Sequence, residues 1–258
     1  MTELLSEAVA EEVAVEPPAR LRLTPRDCEA LPIFKGIDEE LARTLLEASS
    51  ARQYRAGSTV VRQGDTVDGL FIVNSGLVDL TRIDGQHECG VLLLSARDLL
   101  LPAASLFEEH SLVTARALTT TRMIVIDNRA ATDALAASPR FAANLMKAMS
   151  GQWRMAVRNI LDLNCRTAAQ RLGAFLLRLV DLQADSPAAV LPIAKRHLAS
   201  RLGMSAETLS RMLQVVADHG LYLRGRTIIV RDRQQIEDYC GPDPYPEPDE
   251  RDLDVFAL

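Results

Sequence analysis

The stretch LGMSAETLSRML, residues 202–213, places a glycine and a serine close before a short segment that favours a helix. The segment is amphipathic, and each of its two sides recurs at the spacing of one helix face. The apolar side carries Leu209, Met212, Leu213 and Val216. The polar side carries Glu207, Ser210, Arg211 and Gln214. Such a polar face is typical of a solvated helix surface or of a helix that contacts another molecule, and the neighbouring sequence distinguishes the two.

The residues before this helix complete a helix-turn-helix pattern. In KRHLASRLGMSAETLSRML, residues 195–213, Ala199 suits the close contact between two helices and Gly203 suits the turn between them. The buried positions are filled by Leu198, Leu202, Met204, Leu209 and Met212. The following LYLRGRTIIVRD predicts a short hairpin with Arg224-Gly225-Arg226 at its tip, which is the wing of a winged helix.

A module of this kind inserts its second helix into the major groove of DNA. We therefore predict that the polar side, Glu207, Ser210, Arg211 and Gln214, faces base edges. Arginine bonds guanine in that groove, and glutamate accepts from the cytosine amino group. The basic residues that flank this face, Lys195, Arg196, Arg224 and Arg226, are predicted to contact phosphates, which fix register without specifying sequence.

The charge distribution agrees with a DNA-binding segment although the whole chain is acidic. The formal net charge is −6, but residues 190–236 carry eight Lys or Arg against three acids, a local balance of +5. Residues 237–258 then carry eight acids and a single arginine. Because salt screens charges beyond about 10 Å, the local balance is what a phosphate backbone feels.

Composition excludes several other classes. The hydrophobic run CGVLLLSARDLLLPAASLF is interrupted by polar residues, so no membrane span is expected. The N-terminus is acidic, whereas a signal peptide begins with basic residues. We therefore expect a cytoplasmic protein. The cysteines at positions 28, 89, 165 and 240 are far apart and are predicted to be free, buried thiols rather than zinc or iron–sulfur ligands.

The chain divides into five predicted segments with an α+β fold. Residues 1–22 and the acidic, proline-rich residues 237–258 are predicted to be disordered tails. Residues 23–138 contain short Val-, Ile- and Thr-rich runs punctuated by glycine, which predict an all-β barrel or jelly-roll domain; we take the jelly roll as the prediction. A long helix at 139–164 and the winged helix-turn-helix at 165–236 follow.

The long helix is predicted to form a dimer interface. Met146, Met149, Trp153 and Ile160 belong to an apolar stripe with a spacing of about 3.5 residues, the period of a coiled coil. The alternative is that this stripe packs on the helix's own domain.

Together these motifs resemble the CRP/FNR family of bacterial transcription regulators. YRAGSTVVRQGDTVDGLFIVNSGLVDL resembles the start of the family's cyclic-nucleotide-binding-type β-roll, with Gly57, Gly64-Asp65 and Gly76 in matching places. MSAETLSRML resembles its recognition helix, and its E-x-x-S-R pattern resembles FNR-type members. The resemblance implies a homodimer that reads palindromic DNA with TTGAT-like halves, with double-stranded DNA, RNA polymerase and a second copy as partners, and no membrane.

The effector is not implied by the resemblance. Members that bind cyclic AMP have Gly-Glu and Arg-Ser where this chain has Pro102-Ala103 and Val113-Thr114, so cyclic AMP is not expected. An FNR-type iron–sulfur cluster is not expected either, because Cys28 stands alone. A small organic effector, an apolar core that binds nothing, and haem held by His87, Cys89 or His110 remain as alternatives.

A rival from another class is the regulatory module of a cyclic-nucleotide-dependent enzyme or channel, because the β-roll also occurs there. The helix-turn-helix argues against it. The sequence contains no recognisable catalytic constellation, so an enzyme is not expected.

Overall fold

The computed structural model describes residues 19–21, 31–84, 87–183 and 188–241. The β-rich part forms the predicted roll of antiparallel strands. Its strands are β1 (Ala19–Leu21), β2 (Ser49–Tyr54), β3 (Thr59–Val61), β4 (Leu70–Ser75), β5 (Val78–Asp84), β6 (His87–Leu94), β7 (Leu99–Leu100), β8 (Thr114–Ala117) and β9 (Thr121–Ile126). Within the described residues, they form one sheet in the order β1-β2-β9-β4-β7 and a second in the order β3-β8-β5-β6.

Strands β4 and β9 are buried on both faces, which explains their continuous apolar sequences. Phe71 and Val73 point into the core between the two sheets. Leu70 and Ile72 point to the other face, where a second core is formed with helices. Alternation along the strand therefore supplies two cores from one run of hydrophobic residues.

Of the helices that cover this second face, one lies between β1 and β2, one between β7 and β8, and two follow β9. They are α1 (Glu39–Glu47), α2 (Pro102–Leu106), α3 (Asn128–Ala137) and the long α4 (Pro139–Cys165). Helix α4 begins as predicted, because the Ser138 side chain accepts a hydrogen bond from the Phe141 amide and Pro139 occupies the first turn. Phe141 and Leu145 anchor its first turns in the core of the β-roll.

The C-terminal domain is a winged helix-turn-helix, as predicted. It comprises α5 (Ala168–Leu182), β10 (Ala189–Val190), α6 (Lys195–Arg201), α7 (Ala206–Asp218), β11 (Leu221–Arg224), β12 (Thr227–Val230) and α8 (Arg233–Cys240). Strands β11 and β12 form the wing hairpin, and Gly225 adopts the left-handed backbone at its tip, with φ of +61°. Strand β10, which the sequence did not predict, adds to the wing through β12.

The two domains are in direct contact. Leu77, Leu93 and Leu118 of the β-roll pack against the core of the C-terminal domain. A Cβ atom at Gly90 of β6 would lie only 2.8 Å from the Arg201 Cα, so the strand and helix α6 approach as closely as backbones allow. We call this contact the domain seam.

Three expectations need correction. The predicted N-terminal tail, 1–22, includes Ala19–Leu21, which form β1 because the edge of β2 offers free backbone hydrogen-bonding groups. The predicted acidic tail begins too early at 237, because α8 continues to Cys240 and buries that side chain. The remainder of both tails lies outside the described residues.

The third correction concerns the cysteines, which were expected to be buried. Cys240 is buried, but Cys89 and Cys165 are exposed, and Cys28 lies outside the described residues. Cys165 is the last residue of α4, where the helix leaves the β-roll, and Cys89 lies on β6 near the end of a hairpin. No helix among the described residues is both long and apolar enough to cross a membrane.

Candidate DNA-binding interface

Helix α7 is fixed in the domain by its apolar side. Leu209 and Val216 are buried, and Met212 and Leu213 pack partly buried against the same core. Gly203, with φ of +62°, allows the turn from α6, and the Met204 amide bonds the Ala199 carbonyl across it at 3.0 Å.

The start of α7 is closed by a side-chain cap. Ser205 is the N-cap, and its hydroxyl accepts a hydrogen bond from the Thr208 amide at 3.1 Å. The cap and the buried stripe together fix the rotation of the helix about its axis. The direction in which its polar side points is therefore determined by the sequence.

The predicted base-reading residues lie on that exposed side. Glu207, Ser210, Arg211 and Gln214 are all exposed and lie on the side of α7 opposite the buried stripe. The first three belong to the first two turns, the part of a recognition helix that reaches base edges. The structure therefore brings all four onto one accessible surface, which we call the α7 face.

Sequence reasoning missed one residue of this surface. The Thr208 hydroxyl accepts a hydrogen bond from Arg211 Nη2 at 3.3 Å and another from the Ser205 hydroxyl at 3.0 Å. Thr208 thus connects the cap to the guanidinium and restricts its orientation. The spacing of three residues between Thr208 and Arg211, which places them on adjacent turns, was the available signal.

All four predicted phosphate contacts are exposed, and two of them also make hydrogen bonds within the chain. Lys195 and Arg224 are exposed, at the start of α6 and at the wing tip. Arg226 donates from Nε to the Leu191 carbonyl at 2.9 Å, so this side chain also ties the wing to the preceding segment. Arg196 donates from Nε to His197 Nε2 at 3.2 Å and lines a cavity at the domain seam.

The long helix α4 presents an exposed apolar stripe. Among the predicted dimerisation residues, Met146, Trp153 and Ile160 are exposed by 62%, 70% and 53%, at intervals of seven residues. Leu163 is exposed as well. Met149, by contrast, is partly buried against the β-roll core. For this one residue, the structure agrees with the alternative that the stripe packs on the helix's own domain.

The residues that replace the cyclic-nucleotide cassette do not form a charged site. Ala103 is exposed on α2, and Val113 packs into the core between the sheets. The Thr114 hydroxyl accepts a hydrogen bond from the Gln63 amide at 3.1 Å. The Val113 side chain therefore contributes to packing, and it offers no positive charge to bind a phosphate.

The haem hypothesis gains no support from the described residues. Cys89 and His110 are exposed, and an exposed thiol does not fit an axial ligand in an enclosed apolar pocket. The His87 side chain lies outside the described residues. No cluster of three or more His, Cys, Asp or Glu able to hold a metal occurs in the described part of the chain.

Comparison with known proteins agrees with this architecture. Residues 51–138 match the family model of the cyclic nucleotide-binding domain, and residues 170–239 match that of the Crp-like helix-turn-helix domain. The combination argues for a DNA-binding protein rather than the regulatory module of an enzyme or channel.

Three similar proteins match this chain over 71% or more of their own length. The cyclic AMP receptor protein of Thermus thermophilus is 28% identical over 209 residues, covering 80% of this chain and 95% of that protein. The transcriptional activator protein FnrA of Stutzerimonas stutzeri is 28% identical over 174 residues, covering 66% of this chain and 71% of that protein. The structure of FixK2 from Bradyrhizobium japonicum superimposes with a TM-score of 0.64 at 21% identity, covering 74% of this chain and 96% of that one.

Proposed function

Because the chain belongs to the CRP/FNR family of transcription regulators, we propose that it is a homodimeric regulator that reads palindromic DNA with TTGAT-like half-sites. We further propose that it responds to an effector other than cyclic AMP. The observation that carries the proposal is the α7 face, where Glu207, Ser210 and Arg211 keep the E-x-x-S-R spacing on an exposed, capped helix.

The α7 face has the chemistry needed to read bases. The Arg211 guanidinium donates two parallel hydrogen bonds to the O6 and N7 atoms of guanine, and Glu207 accepts from the cytosine amino group. Thr208 limits the rotation of Arg211 before DNA is bound, which lowers the entropy lost on binding. Lys195 and Arg224 contact phosphates on either side and contribute affinity without specificity.

The dimer is supported by the exposed stripe of α4. Met146, Trp153 and Ile160 repeat every seven residues, which is the spacing of one position in a coiled-coil seam. A large apolar stripe left exposed on one chain is typical of a subunit interface. A second copy covers it and places two α7 helices on one face of the DNA, as a palindrome requires.

The change of effector is supported by the loss of charge at the cassette. A bound cyclic nucleotide would leave its phosphate without an arginine at position 113 and its ribose without a carboxylate at position 103. An uncompensated buried phosphate is unfavourable by several kcal/mol. The name of the Thermus thermophilus relative records cyclic AMP binding for that protein, and the same ligand is not proposed here.

The remaining partners follow from the family. A regulator bound at a promoter acts through RNA polymerase, and it works in the cytoplasm, where the DNA is. We propose no enzymatic activity for the chain.

The proposal is tested by selecting bound sequences from a randomised duplex library with the full chain. We expect a palindrome with TTGAT-like halves. Arg211→Ala should weaken binding to that site by about 1 to 3 kcal/mol and relax the preference at one position in each half. The control is Arg129→Ala, which removes an arginine whose side chain is 92% exposed on α3 and should change neither property. An unchanged preference in Arg211→Ala would contradict the assignment of α7 as the reading helix.

A further inference from the structure

The domain seam contains a buried ion pair. Asp79 of β5 accepts a hydrogen bond from Arg201 Nη2 of α6 at 3.2 Å, and the two side chains are only 3% and 7% exposed. His197, one turn earlier on α6, places Nδ1 3.6 Å from the second oxygen of Asp79. The first helix of the helix-turn-helix is therefore held on the β-roll by charge as well as by apolar contact.

Beside this ion pair lies an open cavity of about 420 Å³. Its walls come from both domains: Ala56, Gly57, Arg116 and Leu118 of the β-roll, and Arg196 and His197 of α6. None of the described residues that line it is acidic. The volume is within the usual range for a small-molecule site, roughly 300 to 1,000 Å³.

Two arginines, Arg116 and Arg196, bring positive charge to the lining of the cavity. Asp79 is directly opposite Arg116 in the sheet, and its carboxylate accepts a hydrogen bond from Arg201. The Nε atom of Arg116 is buried and has no hydrogen-bond partner among the described residues. Arg196 makes its bond to a histidine, which brings no negative charge.

Guanidinium groups form strong, charge-assisted hydrogen bonds with oxyanions. We infer that this cavity binds a small molecule through a phosphate group. Arg116 and Arg196 approach the cavity from opposite domains, so they can bond different oxygens of a tetrahedral anion. Gly57 leaves open space at the rim, because nothing lies within 4 Å of the position a Cβ would occupy.

A ligand in this cavity acts on the position of the helix-turn-helix. It contacts both domains at once, so it binds the docked arrangement of α6 more tightly than an undocked one. A ligand shifts a conformational equilibrium by this difference in affinity. The inference that DNA binding responds to the ligand rests on the proposed function, whereas the binding site itself does not.

The binding site is tested without DNA, by calorimetric titration of the full chain at constant ionic strength. The probes are inorganic phosphate and glucose 6-phosphate, which distinguish a free anion from a phosphate monoester. We expect saturable heat for at least one probe, and Arg116→Gln and Arg196→Gln should each weaken its binding about tenfold or more. Arg129→Gln, which removes one exposed positive charge from α3, should bind as the unmodified chain does.

Hydrogen exchange provides the second measurement. The bound probe should slow amide exchange in β6 and α6, which form the seam, and leave the wing hairpin unchanged. The inference would be overturned if neither probe gave saturable heat. It would also be overturned if Arg116→Gln and Arg196→Gln both bound the probe as tightly as the unmodified chain does. Selection of a palindrome by the ligand-free chain tests the proposed function separately, so either can fail alone.

Discussion

Substitution of Asp79 by asparagine removes the negative charge from the domain seam while keeping the size of the side chain. The variant leaves the Arg201 guanidinium 7% exposed and without its counterion. Burial already lowers the pKa of Arg201, and Asp79 offsets only part of that effect. Breaking a buried ion pair from one side is typically destabilising by about 3 to 5 kcal/mol. We therefore expect the free energy that holds α6 on the β-roll to fall by about that amount.

The matched control is Asp181→Asn, which breaks the ion pair between Asp181 and Arg233 of α8. That pair is shorter, 2.7 Å against 3.2 Å, but its two side chains are 54% and 50% exposed. Exposed ion pairs contribute about 0 to 1 kcal/mol. We therefore predict that the burial of an ion pair, rather than the distance between its atoms, determines how much stability is lost when the aspartate is replaced.

The assay is native-state hydrogen exchange of the full chain, read at the amides of β6 and α6. Asp79→Asn should accelerate exchange at the seam strongly, and Asp181→Asn should leave it nearly unchanged. A double variant, Asp79→Asn with Arg201→Gln, should recover part of the loss, because neither partner of the ion pair is then charged. If Asp79→Asn accelerates exchange at the seam no more than Asp181→Asn does, the seam is not held by its buried charges and the reasoning fails.

The other predictions concern the interface, the wing, the effector and the thiols. Trp153→Asp places a charge in the α4 stripe and should give monomers by light scattering together with loss of operator binding; a dimeric variant would remove α4 from the interface. Arg224→Ala should weaken binding equally on all sequences and reduce the salt dependence by one phosphate contact, whereas an altered sequence preference would show that the wing reads bases. Calorimetric titration with millimolar cyclic AMP should show no saturable heat and operator affinity should not change; micromolar binding would mean that other side chains hold its phosphate. Burial raises the pKa of the Cys240 thiol to about 11, so alkylation at pH 8, mapped by mass spectrometry, should modify Cys89 and Cys165 first; equal labelling would contradict the burial of α8.

Much of the fold was predictable because it depends on local patterns. The period of the apolar residues, the Ser138-Pro139 start of α4 and the glycine turn at Gly203 are each confined to a few consecutive residues. Such signals report backbone conformation directly, and the structure confirms all three.

The features that the sequence did not reveal depend on residues far apart in the chain. Asp79 and Arg201 are separated by 122 positions, and neither belongs to a motif that predicts its partner. Strand β1 exists because β2 has an open edge, which only the folded sheet provides. Helix α8 was missed because its composition is polar, although Ile236 and Cys240 are buried on one side. The cavity at the seam is invisible in sequence for the same reason, since its two arginines come from different domains.

The unbroken helix α4 has a mechanical consequence. Its 27 residues make a rigid rod about 40 Å long, with its first turns fixed in the β-roll and its last turn next to the DNA-binding domain. A tilt of about 5° at the anchored end, which requires the hydrogen bonds from Gln152 to the Leu99 carbonyl and from Asn159 to the Val91 carbonyl to break, would move the far end of a rod of this length by about 3 to 4 Å. That displacement is close to the rise of one base pair, and in a symmetric dimer the two rods would move together. In the proposed dimer, a change too small to disturb the β-roll core would therefore be amplified by leverage into a mismatch between the two α7 helices and the spacing of the half-sites proposed for them.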